Sequence, residues 1–267
     1  MSSASKKLSI EDRLLMTLLR LRRGWDLDDI GLLFGVGEST ASKIVYTWLQ
    51  AMWFELKRLE PAMFVSRHVQ KDMGLPPAFT PFHNFRVILD TTEVRIEAPE
   101  DFREQGNTFS DYKGGNVLMY LIGSSCWGSV SYVSPGFEGS ISDVELYRQS
   151  GIRDFLEEGD LLLVDRGFRI QEECDEDKVI CVHPPFLKNR DKYTPEEEQL
   201  KREIAKARIY VEHVNRKIKV FKILKNIRNT MLPYLDQIVY VISFLVNLQT
   251  PHVKTTLEKM KSQSSSD

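Results

Sequence analysis

Two apolar runs, each leading into an aspartate, constrain the fold of this chain most strongly. Asp165 follows the wholly apolar residues 161–164, and Asp90 follows residues 85–89, of which four are hydrophobic. Short apolar runs of this kind are typical of buried β-strands. We therefore predict two buried strands, each with a carboxylate at its end, where the backbone fixes the side chain and leaves it exposed.

A long amphipathic helix is predicted later in the chain, after a polar loop at residues 188–195. From Leu200 to Phe221 an apolar residue recurs every three or four positions, which predicts a buried seam along the helix. At about 100° per residue, one flank of this seam carries four polar side chains: Arg208, Glu212, Asn215 and Lys219. This flank would point a carboxylate, bracketed by cations, at the sheet.

Residues 9–60 follow helical periodicity throughout. The pattern predicts a helix from residue 10, a short helix at 27–34, a tight turn at Gly35-Val36-Gly37 and a third helix from Ser39. Helix, glycine-containing turn and helix is the arrangement of a helix-turn-helix. Such a unit either binds DNA or is only structural, and the pattern alone leaves both open.

The rest of the chain carries strand and helix patterns. Strands are predicted at 85–96, 117–123, 129–133, 161–164 and 179–182, and helices at 142–149 and from 195 to about 248 with a break near Pro233. This order predicts an α/β domain with a mixed sheet. The predicted organisation has four parts: a helix-turn-helix domain (1–60), a linker (61–84), the α/β domain (85–250) and a polar tail (251–267).

Composition limits the class of protein. The net charge is −2, which gives no global signal for nucleic acid, although Lys and Arg crowd residues 188–228. The three cysteines form no CxxC pair, which favours a reducing compartment over a disulfide framework or zinc site. The longest apolar stretch, 238–248, is shorter than a bilayer span. With no signal-peptide pattern, we expect a soluble protein without a membrane partner.

The carboxylates point to a possible chemistry. Asp and Glu supply the hard oxygen ligands that Mg²⁺ prefers, and a site with few protein ligands leaves positions for water and phosphate. Asp90, Asp165 and Glu212 could together hold a divalent metal against a phosphodiester. Taken singly, each has an ordinary alternative. An Asp after a strand is commonly a turn former, and Arg208 and Glu212 have the spacing of a surface ion pair.

Four sequence motifs carry a resemblance: Asp90-Thr-Thr-Glu, Gly139-Ser-Ile-Ser-Asp143, Asp165-Arg-Gly-Phe168 and Arg208-x3-Glu212-x6-Lys219. Together they resemble those of DDE-superfamily transposases, especially the Harbinger-like group and related bacterial insertion-sequence enzymes. The bacterial motif has a Tyr three residues before its Arg, and here Ala205 takes that place. The resemblance covers residues 85 to about 250, and a preceding helix-turn-helix fits it.

The resemblance implies a ribonuclease H-like fold, a divalent metal cofactor (Mg²⁺ or Mn²⁺) and DNA strand cleavage followed by strand transfer. Asp90, Asp165 and Glu212 would be the catalytic metal ligands. Arg208 and Lys219 would contact phosphate near the scissile bond. Asp143 matches a further motif position, where it either supports the metal site or caps the following helix.

Further DNA contacts are predicted at the start of the third helix, where recognition helices meet bases: Ser39, Thr40, Ser42 and Lys43. Glu38 would oppose phosphate there, and Arg20, Arg22 and Arg23 could add backbone contacts. Lys113, in a predicted hairpin loop at 107–115, either touches DNA or is solvated. His183 and His213 are expected to be surface or supporting groups rather than metal ligands.

The main hypothesis is a metal-dependent DNA endonuclease of the transposase type, acting on double-stranded DNA of transposon terminal repeats and target sites. Its partners could include a second copy of the chain or an accessory DNA-binding protein. A nuclear location follows if the source is eukaryotic, and an intracellular one otherwise. The alternatives are a domesticated, catalytically silent derivative that binds DNA or protein, and a repair or RNA-directed nuclease on the same fold.

Overall fold

The computed structural model describes residues 8–110, 114–187, 190–225 and 227–249. The N-terminal helices are α1 (Ile10–Arg23), α2 (Leu27–Phe34) and α3 (Glu38–Met63). α1 begins at a capping box, in which the Ser9 hydroxyl accepts from the Asp12 amide at 3.0 Å. The turn after α2 depends on Gly31, because an added Cβ there would lie 2.7 Å from the Val36 carbonyl oxygen. The predicted helix-turn-helix is confirmed.

The predicted linker, residues 61–84, has structure of its own. It contains the end of α3, a short helix α4 (Arg67–Asp72) and a 3-10 turn (Pro77–Phe79). The Gln70 side chain of α4 is buried and donates from Nε2 to the Arg86 carbonyl at 2.7 Å. This segment therefore packs against the α/β part of the chain, and the domain boundaries themselves remain a prediction.

The described residues form one seven-stranded sheet. Its strands are β1 (Phe85–Arg95), β2 (Phe109–Ser110), β3 (Gly115–Ser124), β4 (Val130–Val133), β5 (Phe137–Glu138), β6 (Leu161–Leu163) and β7 (Ile180–Val182). β1 is central, antiparallel to β3 on one side and parallel to β6 on the other. β4 extends the antiparallel side and β7 the parallel side. The predicted mixed sheet is confirmed.

Helices cover both faces of this sheet. They are α5 (Phe102–Thr108), α6 (Asp143–Gln149), α7 (Gln171–Glu176), α8 (Pro195–Lys219) and α9 (Leu235–Leu245). Tyr147 of α6 shares a buried cluster with Leu89, whereas Val211 of α8 shares another with Ile88. Because alternate residues of a strand point to the same face, Asp90 lies on the Ile88 face, towards α8.

The C-terminal helical region is more divided than predicted. Instead of one helix from 195 to about 248 with a break near Pro233, α8 ends at Lys219 and 3-10 turns separate it from α9. The physical reason is a tertiary contact. Ile227 forms a parallel β-bridge with Ile96, and a continuous helix could not present its backbone in this way.

The run Asn229–Leu248 is long and apolar enough, by length and composition alone, to cross a membrane. In this protein it consists of two 3-10 turns with α9 between them. Of its most apolar 18-residue stretch, 56% is buried. Ile238 and Ile242 of α9 belong to the same hydrophobic core as Leu49 of α3. This packing favours a core helix that also joins the N-terminal helices to the sheet.

Candidate active site

Asp90 lies in the middle of β1. The prediction that it ends a strand is wrong, because β1 continues to pair with β3 as far as Arg95. Its parallel pairing with β6 stops earlier, where Ile88 lies opposite Leu163. Asp90 is therefore two residues beyond the end of the β1–β6 ladder.

Asp165 lies two residues beyond the same ladder, on the β6 side. β6 ends at Leu163, and a turn follows in which the Phe168 amide donates to the Asp165 carbonyl at 3.0 Å. The Asp165 side chain is 49% exposed, and its Oδ1 accepts from the Arg166 amide at 2.6 Å. The end-of-strand prediction is confirmed here. Both aspartates therefore lie just beyond the same end of the β1–β6 strand pair.

Helix α8 contacts both of these aspartates. Asn215 donates from Nδ2 to Asp90 Oδ2 at 2.8 Å, and the Arg208 guanidinium forms an ion pair with Asp165 Oδ1. Asn215 is buried, and the Arg208 side chain is largely so. Two of the four residues on the helix flank predicted from periodicity, Arg208 and Asn215, therefore contact the aspartates, whereas Glu212 and Lys219 are exposed.

Burial and the neighbouring charged groups shift the pKa of Asp90. Burial raises the pKa of Asp90 above its usual value, and the negative charge of Asp165 raises it further. Arg208 and the hydrogen bond from Asn215 act in the opposite direction. The Asn215 Oδ1 is buried and has no hydrogen-bond partner among the described residues. Asp90 thus carries a charge that its surroundings compensate only in part.

Asp143 borders the Asp165 turn. It is the first residue of α6, and the predicted alternative that it caps this helix is wrong, because the Ser142 hydroxyl is the cap and accepts from the Glu145 amide at 3.2 Å. Burial and the charge of Asp165 raise the pKa of Asp143. A Cβ added at Gly167, in the Asp165 turn, would lie 3.5 Å from Asp143 Oδ2. A supporting role at the site remains a prediction.

Glu212 is exposed on α8, four residues after Arg208 and three before Asn215. Residues at these spacings project from one side of a helix, so Glu212 lies between the two side chains that contact the aspartates. In the described parts of the chain, no three His, Cys, Asp or Glu side chains are grouped closely enough to hold a metal. The structure brings Asp90 and Asp165 together and places Glu212 on the facing helix. Its role as third ligand remains a prediction.

The other predicted phosphate contacts lie outside this centre. Lys219 is exposed at the end of α8. It lines a surface groove of about 480 Å³ together with Thr92, Arg95 and Lys225. Its contact with phosphate remains a prediction, and Lys113 falls outside the described residues.

The predicted DNA-contacting residues of α3 lie in its first turns. Three of them are exposed and the fourth is half-buried: Ser39, Thr40 and Lys43, and then Ser42. Glu38 is exposed beside them. Arg20, expected to add a backbone contact, is instead buried, and its guanidinium pairs with Asp26 at 3.5 Å across the turn that follows α1. Arg20 therefore stabilises the helical unit rather than facing DNA.

The donors at the centre fit a divalent cation. Mg²⁺ is usually bound by one or two carboxylates, with substrate oxygens and water completing its shell, and Asp90 and Asp165 supply that pair. A cation would favour the charged form of Asp90, whose pKa burial raises, and could take up Asn215 Oδ1, which has no hydrogen-bond partner in the described part of the chain. The spacing of polar residues along α8 predicted that Asn215 lies on the same flank as Arg208 and Glu212. Its contact with Asp90 is seen only in the structure.

Two family models match this chain. The model described as "DDE superfamily endonuclease" matches residues 89–247, and the one described as "Helix-turn-helix of DDE superfamily endonuclease" matches residues 6–58. The probable transposase for insertion sequence element IS702 of Microchaete diplosiphon is 28% identical over 221 residues, which cover 82% of this chain and 73% of that protein.

Among solved structures, a Mos1 transposase paired-end complex with left transposon end has a TM-score of 0.25 and 12% identity, covering 68% of this chain and 61% of that chain. A pre-cleavage Mos1 transpososome has a TM-score of 0.25 and 10% identity, covering 80% of each chain. At these TM-scores the structural likeness carries no argument about this protein. The endonuclease model, in contrast, spans more than half of the sequence. The chain therefore belongs to the DDE superfamily endonucleases.

Proposed function

We propose that this protein is a divalent-metal-dependent DNA endonuclease of the transposase type. It hydrolyses a phosphodiester at the ends of a transposon, and the freed 3′-hydroxyl then attacks target DNA. The observation that supports this most directly is the pair Asp90 and Asp165 at one end of the β1–β6 ladder, contacted by Asn215 and Arg208 from α8.

Asp90 and Asp165 are the residues that would hold the metal, with Glu212 completing the site. When bound, Mg²⁺ or Mn²⁺ supplies Lewis-acid stabilisation of the phosphate and lowers the pKa of a bound water. Asn215 holds the Asp90 carboxylate in one orientation and in its charged form, since a hydrogen bond to a carboxylate favours ionisation. Members of this family generally use divalent metals.

Arg208 acts both before and during DNA binding. In the free protein it neutralises Asp165, whose carboxylate is half exposed. Guanidinium groups pair bidentately with phosphate as well as with carboxylate. An entering phosphodiester therefore competes for Arg208, and its arrival releases Asp165 to act as a ligand. This exchange couples assembly of the catalytic centre to the presence of DNA.

The DNA partner is double-stranded DNA carrying the terminal repeats, and then the target DNA. The helix-turn-helix supports binding through the exposed start of α3, where Lys43 is the main cation. A second copy of the chain or an accessory DNA-binding protein would hold the two transposon ends together. A DNA substrate places the protein in the nucleus if its source is eukaryotic, and elsewhere inside the cell otherwise.

A catalytically silent, DNA- or protein-binding derivative is the second candidate. It is favoured by one observation: Arg208 occupies the Asp165 carboxylate, while Glu212 has not joined the two aspartates. In a silent protein this arrangement is permanent, whereas in an active enzyme DNA and metal change it. The two candidates therefore differ in a single measurable outcome.

The test uses end-labelled DNA carrying the terminal repeats that flank the protein's own gene. The purified full chain is incubated with Mg²⁺ or Mn²⁺, and with EDTA as the control. Nicked product that depends on the metal supports the endonuclease. Binding to the repeats without a nick under either metal supports the silent derivative.

A further inference from the structure

Two of the three cysteines lie side by side, although they belong to different elements. Cys174 is in α7 and is fully buried, whereas Cys181 is in β7 and is half-buried. Both pack in the hydrophobic cluster that contains Phe168 of the Asp165 turn. The third cysteine, Cys126, belongs to a different cluster. Cys174 and Cys181 therefore form a pair from which Cys126 is excluded.

The way in which α7 ends explains why these two side chains meet. The Val179 amide donates to the Cys174 carbonyl at 2.9 Å, and the Lys178 amide donates to the Asp175 carbonyl at 3.2 Å. With Lys178 in the left-handed region at φ 55°, the two bonds form a Schellman motif, which turns the chain back and brings Val179 beside Cys174. Alternate residues of a strand point to the same face, so Cys181 lies on the Val179 face, towards Cys174.

The two thiols influence one another's acidity. Contact with Cys181, together with burial, raises the pKa of Cys174, whereas contact with Cys174 lowers the pKa of Cys181. Cys181 is therefore the thiol that ionises first, and it is also the less buried of the two. Redox-sensing cysteines have these properties, because an accessible thiol of low pKa reacts first and a neighbouring cysteine then resolves the product.

We propose that Cys174 and Cys181 form a reversible disulfide when the protein meets a hydroperoxide. The Cys181 thiolate attacks one peroxide oxygen, so that an S–O bond forms as the O–O bond breaks, and the leaving oxygen takes up a proton. The Cys174 sulfur then attacks the resulting sulfenic acid. The S–S bond forms, the S–O bond breaks, and the hydroxide leaves as water with the Cys174 proton. The two sulfur atoms lose two electrons, and the peroxide gains them.

The disulfide tethers α7 to β7. Because Phe168 closes the Asp165 turn and packs in the same cluster as both cysteines, the tether fixes the segment that follows this aspartate. In a reducing compartment the two thiols are the resting form, and a disulfide that forms there is usually transient and redox-sensing. The modification does not depend on the proposed cleavage of DNA, so its test is independent of the nicking assay.

The test counts the free thiols of the purified full chain, unfolded in guanidinium, before and after treatment with hydrogen peroxide. We expect the three thiols of the reduced protein to fall to one, and dithiothreitol to restore all three. Trypsin cuts after Lys178, between the two cysteines. Mass spectrometry should therefore find peptides 170–178 and 179–188 joined to one another, with the loss of two hydrogen atoms.

The matched control is Cys126→Ser, which removes the cysteine of the other cluster and should still give the joined peptides. Cys174→Ser should give none, and should leave Cys181 as a sulfenic acid that dimedone labels. The measurement on the wild type needs no variant, so it decides the matter even if Cys174→Ser does not fold. Three thiols retained by the wild type, a linkage that includes Cys126, or a linkage only between two chains would overturn the inference.

Discussion

Asn215 of α8 donates a hydrogen bond from Nδ2 to Asp90 Oδ2 at 2.8 Å, and so joins a helix to a strand 125 residues earlier in the chain. The bond opposes the burial that raises the pKa of Asp90. Asn215 is therefore a positioning residue: it fixes the orientation of the carboxylate and favours its charged form.

Replacing this side chain should weaken metal binding. For Asn215→Ala we predict a loss of Mn²⁺ affinity of about 10- to 100-fold, the range seen when a group that orients a ligand is removed. Titration calorimetry measures this directly. Asn84→Ala, at the exposed residue just before β1, is the matched control and should bind Mn²⁺ like the wild type. If both variants bound Mn²⁺ with equal affinity, Asn215 would have no role in positioning a metal ligand.

The charge of the half-buried Asp90 carboxylate should cost the folded protein stability in the absence of metal. The pKa of Asp90 in the folded protein is raised above its usual value of 3.8. Protonation of Asp90 therefore stabilises the fold in full below the pKa of the unfolded chain, and this stabilisation is lost as the pH rises through the pKa of the folded protein. Asp90→Asn has no such charge. In EDTA it should melt at a higher temperature than the wild type at neutral pH, and the difference should shrink towards pH 3.8. Identical melting curves at neutral pH would contradict this.

Glu212 should matter for cleavage and not for folding. It is exposed, and surface substitutions usually change the free energy of unfolding by less than about 0.5 kcal/mol. We predict that Glu212→Gln keeps the wild-type melting temperature and loses metal-dependent nicking by about a hundredfold or more. Glu203→Gln, about two and a half helical turns earlier on α8, should keep both properties. Normal nicking by Glu212→Gln would exclude this glutamate as a ligand.

Asp160, in contrast to Glu212, should matter for folding. Asp160 is fully buried, pairs with Arg67 at 2.7 Å, and lies 3.6 Å from the Arg86 guanidinium. Removing one partner of a buried ion pair typically costs about 3–5 kcal/mol. Denaturant unfolding of Asp160→Ala should show a loss of this size, and a loss under about 1 kcal/mol would mean that the pair contributes as little as an exposed one.

The sequence was most informative where a local pattern carries the structure. The apolar run before Asp165 predicted β6 because burial on both faces requires uninterrupted hydrophobic residues. The three-to-four-residue spacing in α8 predicted which flank meets the sheet, and the contacts of Arg208 and Asn215 lie on that flank.

Features that depend on distant partners could not be predicted. The end of α8 at Lys219 is one of them, because it depends on the bridge between Ile227 and Ile96. The short helices α5 and α7, seven and six residues long, were also not predicted.

The most direct test of the whole account is nicking of terminal-repeat DNA by Asp165→Ala in Mg²⁺ or Mn²⁺, beside the wild type and the exposed control Asp175→Ala. The account predicts metal-dependent nicking by the wild type and the control, none by Asp165→Ala, and retained DNA binding by all three proteins in a mobility-shift assay. Nicking by Asp165→Ala at the wild-type rate would contradict the assignment of this aspartate to the catalytic centre.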